Sequence, residues 1–165
     1  MLRNKGAAGV DRVTLVFVRE VYGVSRLLGE LEADLRAGTY RPAPARRADI
    51  PKPDGSKRPL GIPVVRGRVA RQAAKLVLEP IFEADFLPCS YGLRPRRSAT
   101  QAMERLRVGF IEGCPFVAEF DIRNFFGQID HKRLLAVVGR RVSDRRVLKL
   151  GLYKLSGTIR YPKAA

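Results

Sequence analysis

Between Arg41 and Pro63 the chain changes texture, and that change limits the possible folds more than any other stretch does. The segment is rich in proline and centres on Pro53-Asp54-Gly55-Ser56. Proline presets one backbone angle of a turn, aspartate can bond its own turn, and glycine accepts positive φ. Ala48-Asp49-Ile50-Pro51 before the turn and Arg58-Pro59-Leu60-Gly61-Ile62 after it read as the strands of a hairpin. Proline cannot donate to a strand ladder, so these strands belong at a sheet edge.

Helical patterns surround this hairpin. Leu27, Leu28, Leu31 and Leu35 recur at helical spacing, with Ser25 as the cap, Gly38 as the stop and Gly23 dividing the region in two. Residues 66–82 read as a helix whose inner face is Val69, Ala73, Leu76 and Val77, ending at Pro80. Residues 98–110 form another, with Ser98, Ala102, Leu106 and Phe110 in register. Pro115 to Ile122 is short and almost wholly apolar, which predicts a buried strand carrying Asp121 near its end. A basic helical stretch follows from His131. Interleaved helices and strands indicate an α+β domain rather than a bundle.

A length of 165 residues with 45% hydrophobic residues is enough to bury a core. No apolar run approaches the roughly 20 residues that cross a bilayer. The segment Met1-Leu2-Arg3-Asn4-Lys5-Gly6 lacks the apolar core of a secretion signal. The expectation is a soluble, cytoplasmic chain with no membrane partner. Cys89 and Cys114 have neither metal-ligand nor disulfide-framework spacing, and His131 is the single histidine. Neither a G-x-S-x-G elbow nor a Walker-type loop occurs.

Charge carries more information. Thirty-two Lys and Arg oppose sixteen Asp and Glu, a formal +16 with a pI near 10.9. Residues 41–75 hold ten of the cations against two aspartates. Arg94, Arg96 and Arg97 make a second cluster, and the stretch from Lys132 to Lys149 a third. These clusters are either solvated faces or surfaces for a phosphate backbone, and the excess on the hairpin and the helix after it favours nucleic acid.

Asp121 is the leading candidate for chemistry. A carboxylate at the tip of a buried strand is expensive unless a positive partner meets it. That partner is Mg²⁺ in two-metal phosphoryl transfer. The alternative is a strand-end aspartate that caps the next helix.

Six segments, in order, are similar to one family. They are Asn4-Lys5-Gly6-Ala7-Ala8-Gly9-Val10-Asp11, Gly38-Thr39-Tyr40-Arg41-Pro42 and Ile50-Pro51-Lys52-Pro53-Asp54-Gly55. Lys57-Arg58-Pro59-Leu60-Gly61-Ile62-Pro63, Ser90-Tyr91-Gly92-Leu93-Arg94-Pro95 and Phe120-Asp121-Ile122 complete the set. Over residues 4 to about 150 the chain resembles the fingers and early palm of group II intron reverse transcriptases, including bacterial maturases and retron-type relatives. The resemblance implies a right-hand polymerase fold and an RNA-directed DNA polymerase activity. It also implies Mg²⁺, an RNA template with a primer strand, deoxynucleoside triphosphates and an association with intron RNA.

Site residues carry over in the same way. The resemblance makes Asp121 the first catalytic, metal-binding aspartate, with the Ile122 main-chain carbonyl beside it and a groove between Asp121 and the hairpin. It makes Phe126 the ring that excludes a ribose 2′-hydroxyl, while Phe125 packs into the core, although the two could exchange roles. Lys52 and Arg58 would grip the incoming triphosphate, or else are two exposed hairpin cations. Tyr91 would line the nucleotide pocket, or else is a buried ring with a bonded hydroxyl. Asn4, Lys5, Arg66, Arg68, Arg71 and Arg94 would contact RNA, although the glycines of residues 4–11 also suit a loop with positive φ. Asp130 and His131 match a helix start.

The sequence also departs from the family pattern. No Asp-Asp dipeptide occurs, whereas the family has a second, aromatic-Ala-Asp-Asp motif. One carboxylate and one carbonyl cannot hold two Mg²⁺. Gly67 stands for a usual Asp, Arg96 for a usual Gly and Gly127 for a polar or acidic residue. Together these features read as a truncated form that is inactive alone. Its expected parts are residues 1–115 as N-terminal extension and fingers, 116–150 as the start of a palm and 151–165 as a divergent tail. A non-catalytic, maturase-like RNA-binding module or a decayed relic is the alternative.

Overall fold

The computed structural model describes residues 6–148, residue 150 and the backbone of 159–160; the side chains of 126 and 127 lie outside the description. The chain divides into two compact units, Met1–Leu76 with His131–Ala165, and Val77–Asp130. The sequence-expected boundary at 115/116 falls inside the second unit.

The first unit opens with a one-turn helix, α1 (Leu15–Phe17), capped by Thr14, whose Oγ1 accepts from the Phe17 amide at 3.1 Å. A five-residue π turn, Val18–Tyr22, follows and stops at Gly23, whose φ of 93° an L side chain rarely adopts. Helix α2 (Val24–Ala37) ends at left-handed Gly38, whose N–H reaches the carbonyls of Asp34 and Leu35. Both glycine breaks agree with the sequence pattern. Ser25 does not cap α2, because Gly23 holds that position.

Strands β1 (Ala45–Pro51) and β2 (Lys57–Ile62) form the expected antiparallel hairpin, in register from Arg46 opposite Ile62 to Pro51 opposite Lys57. A short strand, β3 (Ile159–Arg160), pairs parallel to the start of β1, giving the order β2-β1-β3. Pro59 therefore sits on an edge strand, whereas β1, also expected at an edge, is central, with Pro51 beyond the Ala45–Arg46 pairing to β3.

Helix α3 (Val65–Glu83) packs its first turns against α2. Val18, Leu27 and Val65 form one buried cluster, and Leu31, Tyr40 and Ala70 another, with half-buried Val69 touching both. Each such aliphatic side chain contributes about 1.5–3 kcal/mol by leaving water. The inner face of α3 is thus Val65, Gly67 and Ala70. Leu76 and Val77, expected inside, are 65% and 54% exposed. Pro80 lies within the helix rather than at its end. It withholds the N–H that would bond the Leu76 carbonyl, the residue where the first unit stops.

In the second unit, α4 (Ala99–Ile111) begins with a capping box: Ser98 Oγ accepts from the Gln101 amide and Gln101 bonds back to the Ser98 amide. A four-residue helix, α5 (Phe125–Gln128), starts at Asn124, which has φ 51°. The predicted strand over 115–122 is absent. Residues 115–122 have no regular structure, and Phe116 and Phe120 are 93% and 91% exposed. An extended apolar segment becomes a buried strand only when neighbours pair its backbone and cover its side chains. The described ladders involve only 45–51, 57–62 and 159–160. Helix α6 (His131–Gly139), which returns the chain to the first unit, is the predicted basic helix.

Candidate nucleotide and nucleic-acid interface

The hairpin tip is held by its own backbone. The Lys52 amide donates to the Ser56 carbonyl at 2.8 Å, and the Gly55 amide donates to the Lys52 carbonyl at 3.0 Å. Gly55 takes φ 78°, which explains the glycine. Asp54 Oδ1 accepts from the Ser56 hydroxyl at 2.6 Å and the Ser56 amide at 2.9 Å. Those bonds hold the Asp54 carboxyl below the usual carboxylate range.

Arg58 stands opposite Ile50, and Lys52 lies two residues beyond Ile50. Strand side chains alternate between faces, so Lys52 and Arg58 share one face of the hairpin. Both are exposed, and neither has an acidic partner among the described residues. The two residues named from sequence are thus exposed cations on the same hairpin, one beside its turn and one on β2.

The arginines on α3 differ from one another. Arg66 Nη2 donates to Asp34 Oδ2 at 2.6 Å and to the Glu30 carbonyl at 3.1 Å, tying α3 to α2. Its Nε is buried without a partner. Arg68 donates from Nε to the Pro63 carbonyl at 2.9 Å and from Nη2 to the Ala7 carbonyl. Both residues, named from sequence as RNA contacts, brace the fold in this structure. Arg71 has no such brace; burial pulls its guanidinium below the ordinary value, while nearby Tyr40 acts the other way. Tyr40 itself is pushed up by burial.

In the second unit Arg94 is also a brace. Its side chain is 7% exposed and meets Glu83 through Nε and Nη2 at 2.7–3.2 Å. Nη1 donates to the carbonyls of Leu87 and Ser90, both at 2.8 Å, and the guanidinium lies 5.0 Å over Phe86. Arg94 therefore holds its own loop and turns no free edge to RNA. Its hydrogen bonds keep the Glu83 carboxyl below the usual range. Glu83 was not singled out from sequence, because nothing local marks a carboxylate 11 residues away as the partner. The braced loop holds Leu93 and Arg96 at φ 56° and 59°, conformations that need support from elsewhere. Tyr91 is half-buried beneath the Arg97 guanidinium, 5.6 Å away.

Asp121 and Ile122 lie in the exposed, irregular segment, not at the end of an interior strand. Asp121 belongs to the second unit and the Lys52/Arg58 hairpin to the first. Phe126 is placed by α5, and its side chain lies outside the description, as do Asn4 and Lys5 entirely. Phe125, expected in the core, is 47% exposed. Among the described residues no three His, Cys, Asp or Glu side chains group together to hold a metal ion. A cleft of about 600 Å³ in the first unit, lined by apolar Leu28, Leu31, Leu35, Tyr40 and Val69, contains none of the candidate site residues. No helix among the described residues is long and apolar enough to cross a membrane.

Residues 50–162 match the family described as reverse transcriptase (RNA-dependent DNA polymerase). The chain is 38% identical over 156 residues to Protein YkfC of Escherichia coli, covering 90% of this chain and 40% of that protein. It is 36% identical over 121 residues to the group II intron-encoded protein LtrA of Lactococcus lactis, covering 73% of this chain and 20% of that protein. Over 88 residues it is 30% identical to nuclear intron maturase 1 of Arabidopsis thaliana, covering 53% of this chain and 12% of that protein. The chain thus spans less than half the length of each of these relatives.

Proposed function

Because this chain belongs to the reverse transcriptase family, of the group II intron type, we propose that it supplies the nucleotide- and template-gripping part of an RNA-directed DNA polymerase. In this reading the first unit and the Arg94 loop are fingers, and the segment around Asp121 begins the palm. The carrying observation is the hairpin, where Lys52 and Arg58 are exposed and neither forms an ion pair among the described residues. An arginine can clamp phosphate oxygens with two parallel bonds, and a lysine adds a point charge. A deoxynucleoside triphosphate is the ligand that this pair suits. Arg71 with Asn4 and Lys5 contact the RNA template, Tyr91 borders the nucleotide, and Phe126 faces its sugar. Residues that resemble the family's RNA contacts but brace the fold, namely Arg66, Arg68 and Arg94, act by positioning.

The family generally uses Mg²⁺, which in a polymerase neutralises the phosphate charge that builds up as the nucleotide is transferred. Among the described residues no three His, Cys, Asp or Glu side chains group together, so Asp121 has no such set with which to hold the ion. A second reading, an RNA-binding module of maturase type that works without catalysis, is compatible with the +16 charge but no better supported.

Arg58→Ala is expected to weaken binding of a fluorescent deoxynucleoside triphosphate by about tenfold, the loss of a charge-assisted bond pair. Asp121→Ala should leave affinity for an RNA template–DNA primer duplex unchanged. Equal nucleotide binding by wild type and Arg58→Ala in a fluorescence titration would sink the polymerase reading. The RNA-binding module would then remain.

A further inference from the structure

The apolar cleft of the first unit takes no part in the nucleotide and nucleic-acid interface. Its volume of about 600 Å³ falls within the roughly 300–1,000 Å³ of sites that hold small organic ligands. One wall is a stripe of α2, Leu28, Leu31 and Leu35, whose spacing sets them on one helix face. At 1.5 Å per residue the stripe runs for about 10 Å. Helix α3 adds Val69 and Ala73, one turn apart, and Val147 comes from the later part of the same unit. Leu28 is 46% exposed, so part of this wall still faces water.

The charges around the cleft do not cancel. Of the charged side chains that line it, Glu32 pairs with Arg36 at 2.7 Å and Asp144 with Arg146 at 3.2 Å. Arg145 also lines it, is exposed, and forms no ion pair among the described residues. The cleft therefore joins an apolar lining to one uncompensated positive charge at its edge. That combination is complementary to an apolar body ending in a single negative group. The length of the α2 stripe suits an extended hydrocarbon chain. A second copy of this chain is disfavoured, because it would bring another +16 against the same face.

We propose that the cleft binds a free fatty acid, its hydrocarbon chain along the α2 stripe and its carboxylate on Arg145. Each methylene that leaves water adds about fourfold in affinity. The guanidinium holds the carboxylate through charge-assisted hydrogen bonds. This site does not depend on the polymerase reading.

The test uses the full chain and cis-parinaric acid, a fluorescent fatty acid, below its micellar concentration. Myristate, two methylenes longer than laurate, should displace it about tenfold more tightly. Arg145→Gln should weaken the probe and myristate about tenfold. The same charge change at Arg140, which is exposed and does not line the cleft, should cost less than about twofold. 1-Tetradecanol keeps the chain without the charge, so it should bind more weakly than myristate and ignore Arg145→Gln. Ala73→Trp fills the cleft and should abolish saturable binding. If circular dichroism shows that it disturbs the fold, Leu28→Gln, at a part-exposed position, carries the test. Phe116→Ser, on an exposed ring of the second unit, should leave binding unchanged. Equal losses in Arg140→Gln and Arg145→Gln would overturn the anchor, since overall charge would then explain both. Binding that survives Leu28→Gln and Ala73→Trp but fails in Phe116→Ser would overturn the cleft. So would the absence of saturable binding by the wild type. Association with phosphatidylglycerol vesicles tighter than with myristate, and lost in Ala73→Trp, would make the occupant a membrane surface. A dimer in sedimentation that Ala73→Trp abolishes would make it a second copy. Either result overturns the free acid.

Discussion

The two units put similar amino acids to opposite uses. In the first, α2, the start of α3 and residue 142 bury Val18, Leu27, Leu31, Tyr40, Val64, Val65, Ala70 and Val142. Among the described residues, none of the buried apolar side chains comes from the second unit, which leaves Met103, Phe110, Phe116, Phe120 and Ile122 exposed. The first unit is therefore held by burial. The second is held by local devices: a capping box, an arginine inside a loop and short turns. The contrast teaches that apolar content does not make a core until a second surface faces it.

The sharpest way to break this comparison is to cut one large side chain from each unit. Leu31→Ala should destabilise the protein by about 3 kcal/mol, as for other buried leucines. Phe120→Ala should shift stability by less than about 0.5 kcal/mol, as exposed substitutions do. Urea unfolding followed by circular dichroism measures both, and equal losses would end the distinction. A smaller effect is expected from Arg94→Lys, which keeps charge but cannot span Glu83, Leu87 and Ser90 together. It should lower Tm by roughly 5 °C and speed tryptic cleavage at Arg96 and Arg97. A wild-type cleavage rate would show that the loop does not depend on the brace. Ser98→Ala removes one half of the capping box and should cost about 1 kcal/mol, all of it within α4. Amide exchange that rises elsewhere instead would show that α4 is coupled to more than its own cap.

Acid should produce the smallest change. Hydrogen bonds from Arg94 depress Glu83, and those from Tyr22 and then Arg26 depress Glu30. A folded-state pKa below the unfolded one adds stability above the ordinary carboxylate range, and that stability disappears as pH falls through the depressed value. Both groups are largely in contact with water, so the effect is slight. The Tm difference between wild type and Glu83→Gln should narrow as pH falls from neutral toward 3. A gap that widens on acidification would reverse the assigned sign.

Much of the fold was legible because it obeys local rules. The Pro53–Ser56 turn with its two strands, the stops at Gly23 and Gly38, and the helix beginning at Ser98 each depend on backbone preferences within a few residues. The strand expected over 115–122 was misread for a physical reason: an apolar run reports what a segment would bury, not whether a partner is present. The inner face of α3 was read correctly at Val69 but not at Leu76 and Val77, which fit the helical period yet are exposed. Of the candidate site, the hairpin that carries Lys52 and Arg58 was legible because its turn residues, Pro53-Asp54-Gly55-Ser56, mark it locally.

By itself the sequence determined the family, the net charge and the positions of the turns, because these follow from residue identity and short-range backbone chemistry. Tertiary structure alone decided which arginines hold the fold and which face solvent. Arg58, Arg66, Arg68 and Arg94 are chemically identical. Yet Arg66 finds Asp34 32 residues away, Arg68 finds Ala7 61 residues away and Arg94 finds Glu83, while Arg58 is left facing water. A guanidinium's role is set by the carbonyls and carboxylates that folding brings within about 3 Å of it, and that distance is not written in the order of the residues.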